Sequence, residues 1–253
     1  MTIDSHAHLD DKAYGDVGAI MDNFISSGGK TLIDVGCDEK SCFAAKRTAE
    51  RFGVYFSAGI HPQEADKDID IGLIAPLLTD KRCVAVGEIG LDYHYKPFDR
   101  KRQIDLFERQ IFLACENELP IIIHSREASE DMLATLKNNK AYLKNGFLMH
   151  CYSESKEQAK RYLDLGAYFA FGGAITFKNA KKDDVIKSIP VDRLLFETDC
   201  PYMTPEPLRG RVNEPAFVGY VYAKAAAILD IDREVLERVI EENFVRFFKK
   251  VAL

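Results

Sequence analysis

Short β-type runs alternate with amphipathic helical stretches along the whole chain. Each apolar run is followed by a polar or Gly/Pro break and then by a segment whose apolar residues recur three and four positions apart. After Asp99, for example, Ile104, Phe107, Ile111 and Ala114 form one buried stripe, and Asp99 is predicted to cap that helix. The eight predicted strands are Thr2–His8, Thr31–Gly36, Val54–His61, Cys83–Glu88, Pro120–His124, Gly146–His150, Ala167–Gly172 and Arg193–Asp199.

The spacing of these strands indicates the fold class. Their C-terminal ends lie 22 to 36 residues apart, which is the length that one strand, one helix and two short loops require. Eight such units predict an α/β fold of the closed (β/α)8 TIM-barrel type. An open, doubly wound sheet is the alternative. No linker or shift in composition divides the chain, so residues 1–253 are predicted to form a single barrel domain.

Composition and charge exclude several classes of protein. A hydrophobic fraction of 47% excludes a disordered chain, and no apolar run is long enough to cross a membrane. The 34 basic and 40 acidic residues leave a formal net charge of −6, which argues against unspecific coating of DNA. The six cysteines form no C-x-x-C pair, and the N-terminus does not look like a signal peptide. We therefore expect reduced thiols, a cytoplasmic location and no membrane partner.

Histidines and carboxylates collect at one end of the predicted barrel. Active sites of (β/α)8 barrels are built at the C-terminal ends of the strands, and five of the six histidines lie at predicted strand ends. Two acidic residues end two further strands. The residues at this face are His6, His8, His61, Glu88, His124, His150 and Asp199.

These residue types predict a metal site with two divalent ions. His6 and His8 are two positions apart in a strand and so point to the same side, where they could grip one ion. Asp199 follows the last strand, which neighbours the first strand in a closed barrel, and could complete that site. Glu88, across the mouth of the barrel, could bridge to a second ion.

The second predicted ion lies between His124 and His150, which end adjacent strands. Imidazole and carboxylate ligands accept Zn²⁺, Mn²⁺, Co²⁺ or Ni²⁺, and Mg²⁺ less readily, so the identity of the metal stays open. His61 is predicted to contact substrate, with a third metal ligand or a brace for its loop as alternatives.

Aromatic and basic residues near the mouth predict contacts to a nucleic acid. The loop after the fourth strand carries Tyr93 among several basic residues, Arg126 follows His124, and the loop after the eighth strand supplies Arg209 and Arg211. These side chains could hold bases and phosphates. The alternative is a solvated basic turn whose tyrosines pack locally.

Six motifs resemble those of the TatD family of metal-dependent, deoxyribonuclease-type hydrolases. They occur in the order typical of the family and span nearly the whole chain. The resemblance implies the metal ligands His6, His8, Glu88, His124, His150 and Asp199. The motifs are Ser-His-Ala-His-Leu-Asp at 5–10, Gly-Ile-His-Pro at 59–62, Gly-Glu-Ile-Gly-Leu-Asp-Tyr at 87–93, Ile-His-Ser-Arg at 123–126, Glu-Thr-Asp-Cys-Pro at 197–201 and Arg-Val-Asn-Glu-Pro at 211–215.

The resemblance also implies an activity, which is hydrolysis of phosphate esters in DNA, commonly as a 3′→5′ exonuclease on single strands. A metal-activated water would attack phosphorus, with Asp199 taking its proton and Glu88 bridging the ions. Some relatives are assigned other substrates, such as D-aminoacyl-tRNA. An amidohydrolase-type reaction is a further alternative, but barrels of that kind often bridge their metals with a modified lysine where this chain has Glu88.

A binding scaffold without turnover is the alternative from another class of protein, and it would be indicated by a missing ligand. All six ligand positions are filled. The sequence leaves the oligomeric state open, and a monomer is plausible.

Overall fold

The computed structural model describes residues 1–67 and 69–253 and shows a (β/α)8 barrel. Its eight strands are parallel and pair in the order in which they occur along the chain. This order confirms the predicted barrel over an open, doubly wound sheet. The strands are β1 Thr2–Ala7, β2 Gly29–Val35, β3 Tyr55–Ala58, β4 Cys83–Asp92, β5 Ile121–Arg126, β6 Phe147–Met149, β7 Tyr168–Phe171 and β8 Leu194–Phe196.

Helices follow the strands and cover the outside of the barrel. Several begin at a side-chain cap, as predicted for Asp99, whose carboxylate accepts the N–H groups of Lys101 and Arg102 at 2.9 and 3.0 Å. The helices are α1 Val17–Ser26, α2 Glu39–Phe52, α3 Ala75–Leu78, α4 Arg100–Glu116, α5 Ser129–Asn138, α6 Lys156–Leu163, α7 Asp183–Ser188, α8 Val218–Leu229 and α9 Arg233–Phe247. Within residues 1–67 and 69–253, none of them combines the length and the apolar content that crossing a bilayer requires.

The barrel closes where the segment after β8 meets β1. The N–H of Asp199 donates to the carbonyl of His6 at 3.0 Å, and the N–H of His8 donates to the carbonyl of Cys200 at 2.9 Å. Beneath these bonds, the buried carboxylate of Asp4 accepts the N–H and the hydroxyl of Thr198 at 2.9 and 2.6 Å. Burial raises the pKa of Asp4 to about 8. This seam places residues from the two ends of the strand order side by side.

Each of the eight predicted strands differs from the observed strand in at least one bound, and His8, His150 and Asp199 lie just after the strands that were predicted to contain them. The differences in the third and fourth strands bear on the functional site. The third strand ends at Ala58, and His61 instead caps the 3₁₀ turn Pro62–Glu64 by accepting the N–H of Gln63. Proline suits the first position of this turn, where its missing N–H leaves no hydrogen bond unmade. The fourth strand does not stop at Glu88 but continues to Asp92. It continues because β5 pairs with it on one side, where Gly90 lies opposite His124.

Gly90 is required where β4 and β5 approach most closely. Its φ of +144° is a backbone conformation that residues with a side chain rarely adopt. A Cβ at this position would also overlap the carbonyl oxygen of His124. The glycine therefore allows the backbone of β4 to lie directly against the residue that carries a predicted metal ligand.

We expect Gly90→Ala to lower the free energy of unfolding by about 2–4 kcal/mol, because backbone strain and overpacking add at this site. Urea unfolding followed by circular dichroism measures the change. Gly210→Ala is the matched control, since Gly210 also has a positive φ of +89° but no atom within 4 Å of an added Cβ. Equal losses in the two variants would contradict the role of close packing at Gly90.

Candidate metal centre

A cavity of about 790 Å³ opens at the C-terminal ends of the strands. Its floor holds Glu88 and the histidines that the sequence predicts, with His6 completely buried beneath it. Acidic, aromatic and basic side chains form its rim. The lining includes His8, Asp10, Cys37, His61, Gln63, Glu88, Asp92, Tyr95, His124, Arg126, His150, Lys182, Asp199 and Tyr202.

Glu88 lies at the centre of the histidine cluster. Its Oε1 is 2.8 Å from Nδ1 of His124 and 2.8 Å from Nε2 of His150. The same oxygen is 3.7 Å from Nε2 of His61. One carboxylate oxygen therefore faces ring nitrogens that arrive from three different segments of the chain.

The other oxygen of Glu88 faces the first strand. Oε2 is 3.5 Å from Nε2 of His6 and 3.6 Å from Nε2 of His8, and these two ring nitrogens are 3.1 Å apart. Asp199 approaches from the far side of the seam, with Oδ1 at 3.9 Å from His6 and 3.6 Å from His8. The structure thus brings all six predicted metal ligands together.

The arrangement of lone pairs fits a divalent cation. Nδ1 of His8 lies 3.0 Å from the carbonyl oxygen of Val35 and donates its proton there, so Nε2 of a neutral ring carries a lone pair. That lone pair is directed at oxygen atoms of Glu88 and Asp199, which are also acceptors. Acceptor atoms whose lone pairs face one another in a buried site repel each other, and a cation between them removes this repulsion. The donor set therefore suits a metal ion.

Four groups of donor atoms could hold an ion, because within each group the atoms lie within 4.8 Å of one another, and three of the groups consist only of predicted ligands. His6 and His150 each belong to two of the groups. The predicted division into two ions stays a prediction, as does the identity of the metal. The three groups of predicted ligands are His6–His8–Glu88, His6–His150–Asp199 and Glu88–His124–His150.

Charges in the cluster match this role. Burial opposes ionisation of Glu88, but the imidazoles of His150, His124 and His6 hold its pKa well below the ordinary value. Burial also opposes ionisation of Asp199, whose pKa is nevertheless lowered by the neighbouring histidines. Burial, together with the charge of His150, lowers the pKa of His6. Ionised carboxylates and a neutral imidazole are the forms that bind metals.

His61 differs from the other histidines in the position of its proton. Its Nδ1 accepts the N–H of Gln63 at 3.2 Å, so a neutral ring carries its proton on Nε2, which faces Glu88 and the cavity. Burial lowers the pKa of His61 to about 3, which keeps the ring neutral. A nitrogen that carries a proton donates a hydrogen bond and does not bind a metal. This geometry favours the predicted substrate contact over a third ligand.

Of the other predicted substrate residues, Arg126 lines the cavity. Its guanidinium group lies 5.0 Å from the centre of the Tyr95 ring and donates to the hydroxyl of that tyrosine at 3.1 Å. Tyr95 is 54% exposed and stands at the rim. Tyr95 belongs to the loop whose aromatic and basic residues were predicted to hold bases and phosphates, although it was not singled out.

Tyr93, Arg209 and Arg211 lie outside the cavity lining. The hydroxyl of Tyr93 donates to Asp131 at 2.7 Å, and its ring stacks on Phe98 with 4.8 Å between centroids. The guanidinium group of Arg209 covers the ring of Phe177 at 3.8 Å, and Arg211 is exposed. The local packing that was the alternative for the tyrosines applies to Tyr93.

Two carboxylates behind the cluster were not predicted from the sequence. Asp92 Oδ2 lies 3.1 Å from Nε2 of His124, and Glu197 Oε1 lies 3.4 Å from Nδ1 of His150. Glu88 precedes Asp92 by four residues, so in one continuous strand the two side chains lie on the same face. The predicted strand ended before Asp92, and this relation was therefore not used. Glu197 precedes Asp199 by two residues, and this spacing could have indicated that both carboxylates point to the same side of the strand.

A (β/α)8 barrel with imidazoles and carboxylates clustered at its mouth defines the class of metal-dependent barrel hydrolases. Residues 3–249 match the model of the family described as TatD related DNase. The chain belongs to this family, and the protein is a metal-dependent hydrolase.

Curated relatives and a solved structure match over nearly the full length. The chain is 39% identical over 254 residues to the uncharacterized metal-dependent hydrolase YabD of Bacillus subtilis, covering 98% of this chain and 99% of that protein. It is 36% identical to the uncharacterized metal-dependent hydrolase YcfH of Escherichia coli K12, covering 97% and 95%. The crystal structure of YJJV, a TatD homolog from Escherichia coli K12, aligns with a TM-score of 0.92 at 30% identity and covers 98% of both chains.

We expect Glu88→Gln to weaken binding of Zn²⁺ by more than about 100-fold, because a neutral amide cannot offset the charge of an ion held among neutral imidazoles. Isothermal titration calorimetry of the metal-free protein measures the affinity. Glu116→Gln, at an exposed position in α4, is the matched control and keeps the affinity of the unchanged protein. Unchanged zinc binding in Glu88→Gln would contradict a central role for this carboxylate.

Proposed function

We propose that this hydrolase cleaves phosphodiester bonds in DNA and removes nucleotides from the 3′ end of single strands with the help of two divalent ions. One observation carries the proposal. The acceptor cluster suited to cations lies at the floor of a cavity whose rim offers cationic and aromatic side chains, including Arg126, Lys182, Tyr95 and Tyr202. Cationic side chains bind phosphate, and unpaired bases stack on aromatic rings.

The charge of the floor favours a phosphate once cations are present. His6 is neutral in its buried position, whereas Glu88 and Asp199 are ionised. The groups that face His8, His124 and His150 raise the pKa of these imidazoles despite burial, so they release protons when a cation binds. Divalent ions bound among these groups lower the pKa of water and offset negative charge on phosphate oxygens. A net charge of −6 for the whole chain therefore does not prevent an anionic substrate from entering this cavity.

Individual residues have distinct proposed roles. Asp199 lines the cavity, and we assign it the proton of the attacking water. Glu88 holds the cluster together between the two ligand sets. His61 donates a hydrogen bond from Nε2 to a phosphate oxygen. It can do so because its Nδ1 accepts the N–H of Gln63, which leaves the proton of the neutral ring on Nε2.

The rim provides the contacts to the remainder of the nucleotide chain. Tyr202, which is 56% exposed, and Tyr95, whose ring is partly covered by Arg126, present exposed aromatic surface to bases. Arg126 binds phosphate. Tyr93, Arg209 and Arg211 stay predictions for a substrate that extends beyond the cavity. The cytoplasmic location and the monomeric state expected from the sequence also stay predictions.

The reaction is tested with end-labelled single-stranded DNA. We expect the protein loaded with Mg²⁺, Mn²⁺ or Zn²⁺ to release mononucleotides from the 3′ end and the chelator-treated protein to release none, as observed by gel electrophoresis. D-aminoacyl-tRNA and a small amide are assayed in parallel. Intact DNA with every metal, together with turnover of either other substrate, would contradict the proposal.

We expect Asp199→Asn to lower kcat by at least about 100-fold while DNA binding persists, because the amide cannot take a proton from water. Fluorescence anisotropy with labelled DNA measures the binding and the nuclease assay measures kcat. Asp192→Asn, at an exposed position before β8, is the matched control and keeps both values. Full turnover in Asp199→Asn would remove this carboxylate from the reaction.

We expect Arg126→Ala to raise KM for single-stranded DNA roughly tenfold with a smaller change in kcat, since a charged contact to phosphate distant from the cleaved bond is lost. Steady-state kinetics at constant salt concentration separate the two parameters. Arg161→Ala is the control, because Arg161 is paired with Glu130 on the outside of the barrel. A KM that does not change in Arg126→Ala would exclude a substrate contact.

A further inference from the structure

The ring of His124 lies between two carboxylates. Its Nδ1 is 2.8 Å from Oε1 of Glu88, inside the metal centre, and its Nε2 is 3.1 Å from Oδ2 of Asp92, behind it. A neutral imidazole has only one proton, so it can donate to only one of these carboxylates. The nitrogen that keeps the proton determines which nitrogen offers a lone pair to a metal.

Asp92 is held rigidly behind the ring. The residue is 1% exposed, and its Oδ1 accepts the N–H of His94 at 2.9 Å. Its Oδ2 accepts the side-chain N–H of Gln63 at 3.1 Å. The main chain of Asp92 is bound on both sides by Gln103, through two hydrogen bonds of 2.8 Å. The carboxylate is thus fixed in place and can act only as an acceptor.

We propose that Asp92 is a positioning residue that accepts the Nε2 proton of His124 and so directs the Nδ1 lone pair toward Glu88 and the metal centre. A carboxylate in this position fixes the orientation of the ring and increases its basicity as a ligand. The proposal depends on the metal centre but not on the choice of DNA as substrate. Its tests therefore measure metal binding and proton position, without any assay of cleavage.

A third metal ion is the competing explanation, because donor atoms of His61, Asp92 and His124 also lie within 4.8 Å of one another. The proton positions argue against it. Nδ1 of His61 accepts the N–H of Gln63, so its Nε2 carries the proton and has no lone pair for a metal. His124 would need to lose both protons to bind ions through both nitrogens. Asp92 is instead hydrogen-bonded to His124 and to Gln63, and Gln63 in turn donates its N–H to His61.

The first test is ¹⁵N NMR of the unchanged protein, labelled on histidine and loaded with Zn²⁺. We expect His124 to show a one-bond N–H coupling at Nε2 and the chemical shift of a metal-bound nitrogen at Nδ1. A single-site His124→Gln sample assigns the signals. Metal coordination at Nε2, an Nε2 without a proton, or a third zinc ion per chain by elemental analysis would each overturn the proposal.

The second test is Asp92→Asn. The two oxygens of Asp92 face three donors, so in Asp92→Asn the NH₂ group must oppose one of them. The amide oxygen is also a weaker acceptor for the Nε2 proton of His124 than an ionised carboxylate. We expect calorimetric titration to show one zinc ion bound about 10- to 100-fold more weakly and the other bound within about threefold of the unchanged affinity. The NMR spectrum should show a weaker hydrogen bond at Nε2 of His124, seen as a shift of its N–H signal relative to the unchanged protein.

Asp34→Asn is the matched control. Asp34 is also a buried aspartate on a barrel strand, and one of its oxygens accepts the N–H of Leu9 at 3.0 Å, which an amide oxygen retains. We expect this variant to keep both zinc affinities. Equal binding of both ions in Asp92→Asn would overturn the proposal. If circular dichroism shows that Asp92→Asn does not fold, Asp92→Ala is titrated instead and the spectrum of the unchanged protein decides.

Discussion

The structure depends on one electrostatic constraint, which is the concentration of imidazole and carboxylate groups around the buried carboxylate of Glu88. Ring nitrogens of five histidines lie within 3.7 Å of this group, and Asp199 adds a second carboxylate. Such a cluster is costly in a low-dielectric interior unless positive charge is present. The cluster lies at the C-terminal ends of the strands, where it lines the cavity. It lowers the stability of the fold there and gives the site its capacity to bind cations.

The seam between β8 and β1 makes this convergence possible. Asp4 ties the two ends of the barrel together through Thr198, directly below the bonds that join His6 to Asp199. Residues that are about 190 positions apart in the chain thereby supply ligands to one site. Because a closed barrel has no free edge at this seam, the ligands from β1 and from the segment after β8 are held by main-chain bonds and not by flexible loops.

The cavity separates chemistry from recognition. Its floor consists of residues on strands and at strand ends, which are rigid, whereas the aromatic and basic side chains of the rim lie mostly on the loops that follow. Changes in the loops can therefore alter substrate choice without disturbing the ligands below. This division explains why the TatD family relationship identifies a metal-dependent hydrolase, while the proposed DNA substrate depends on rim residues such as Arg126 and Tyr95.

Sequence by itself determined the alternation of strands and helices, the closed barrel and the six residues that gather around Glu88. These features follow from local hydrophobic periodicity and from the rule that strand ends meet at one face of the barrel. Tertiary structure alone decided that Asp92 lies behind His124, since pairing with β5 extends β4 beyond the point where the local pattern ends. It also decided that Tyr95 faces the cavity while Tyr93 packs against Phe98. Loop side chains take their direction from contacts with distant residues, and no local pattern encodes those contacts.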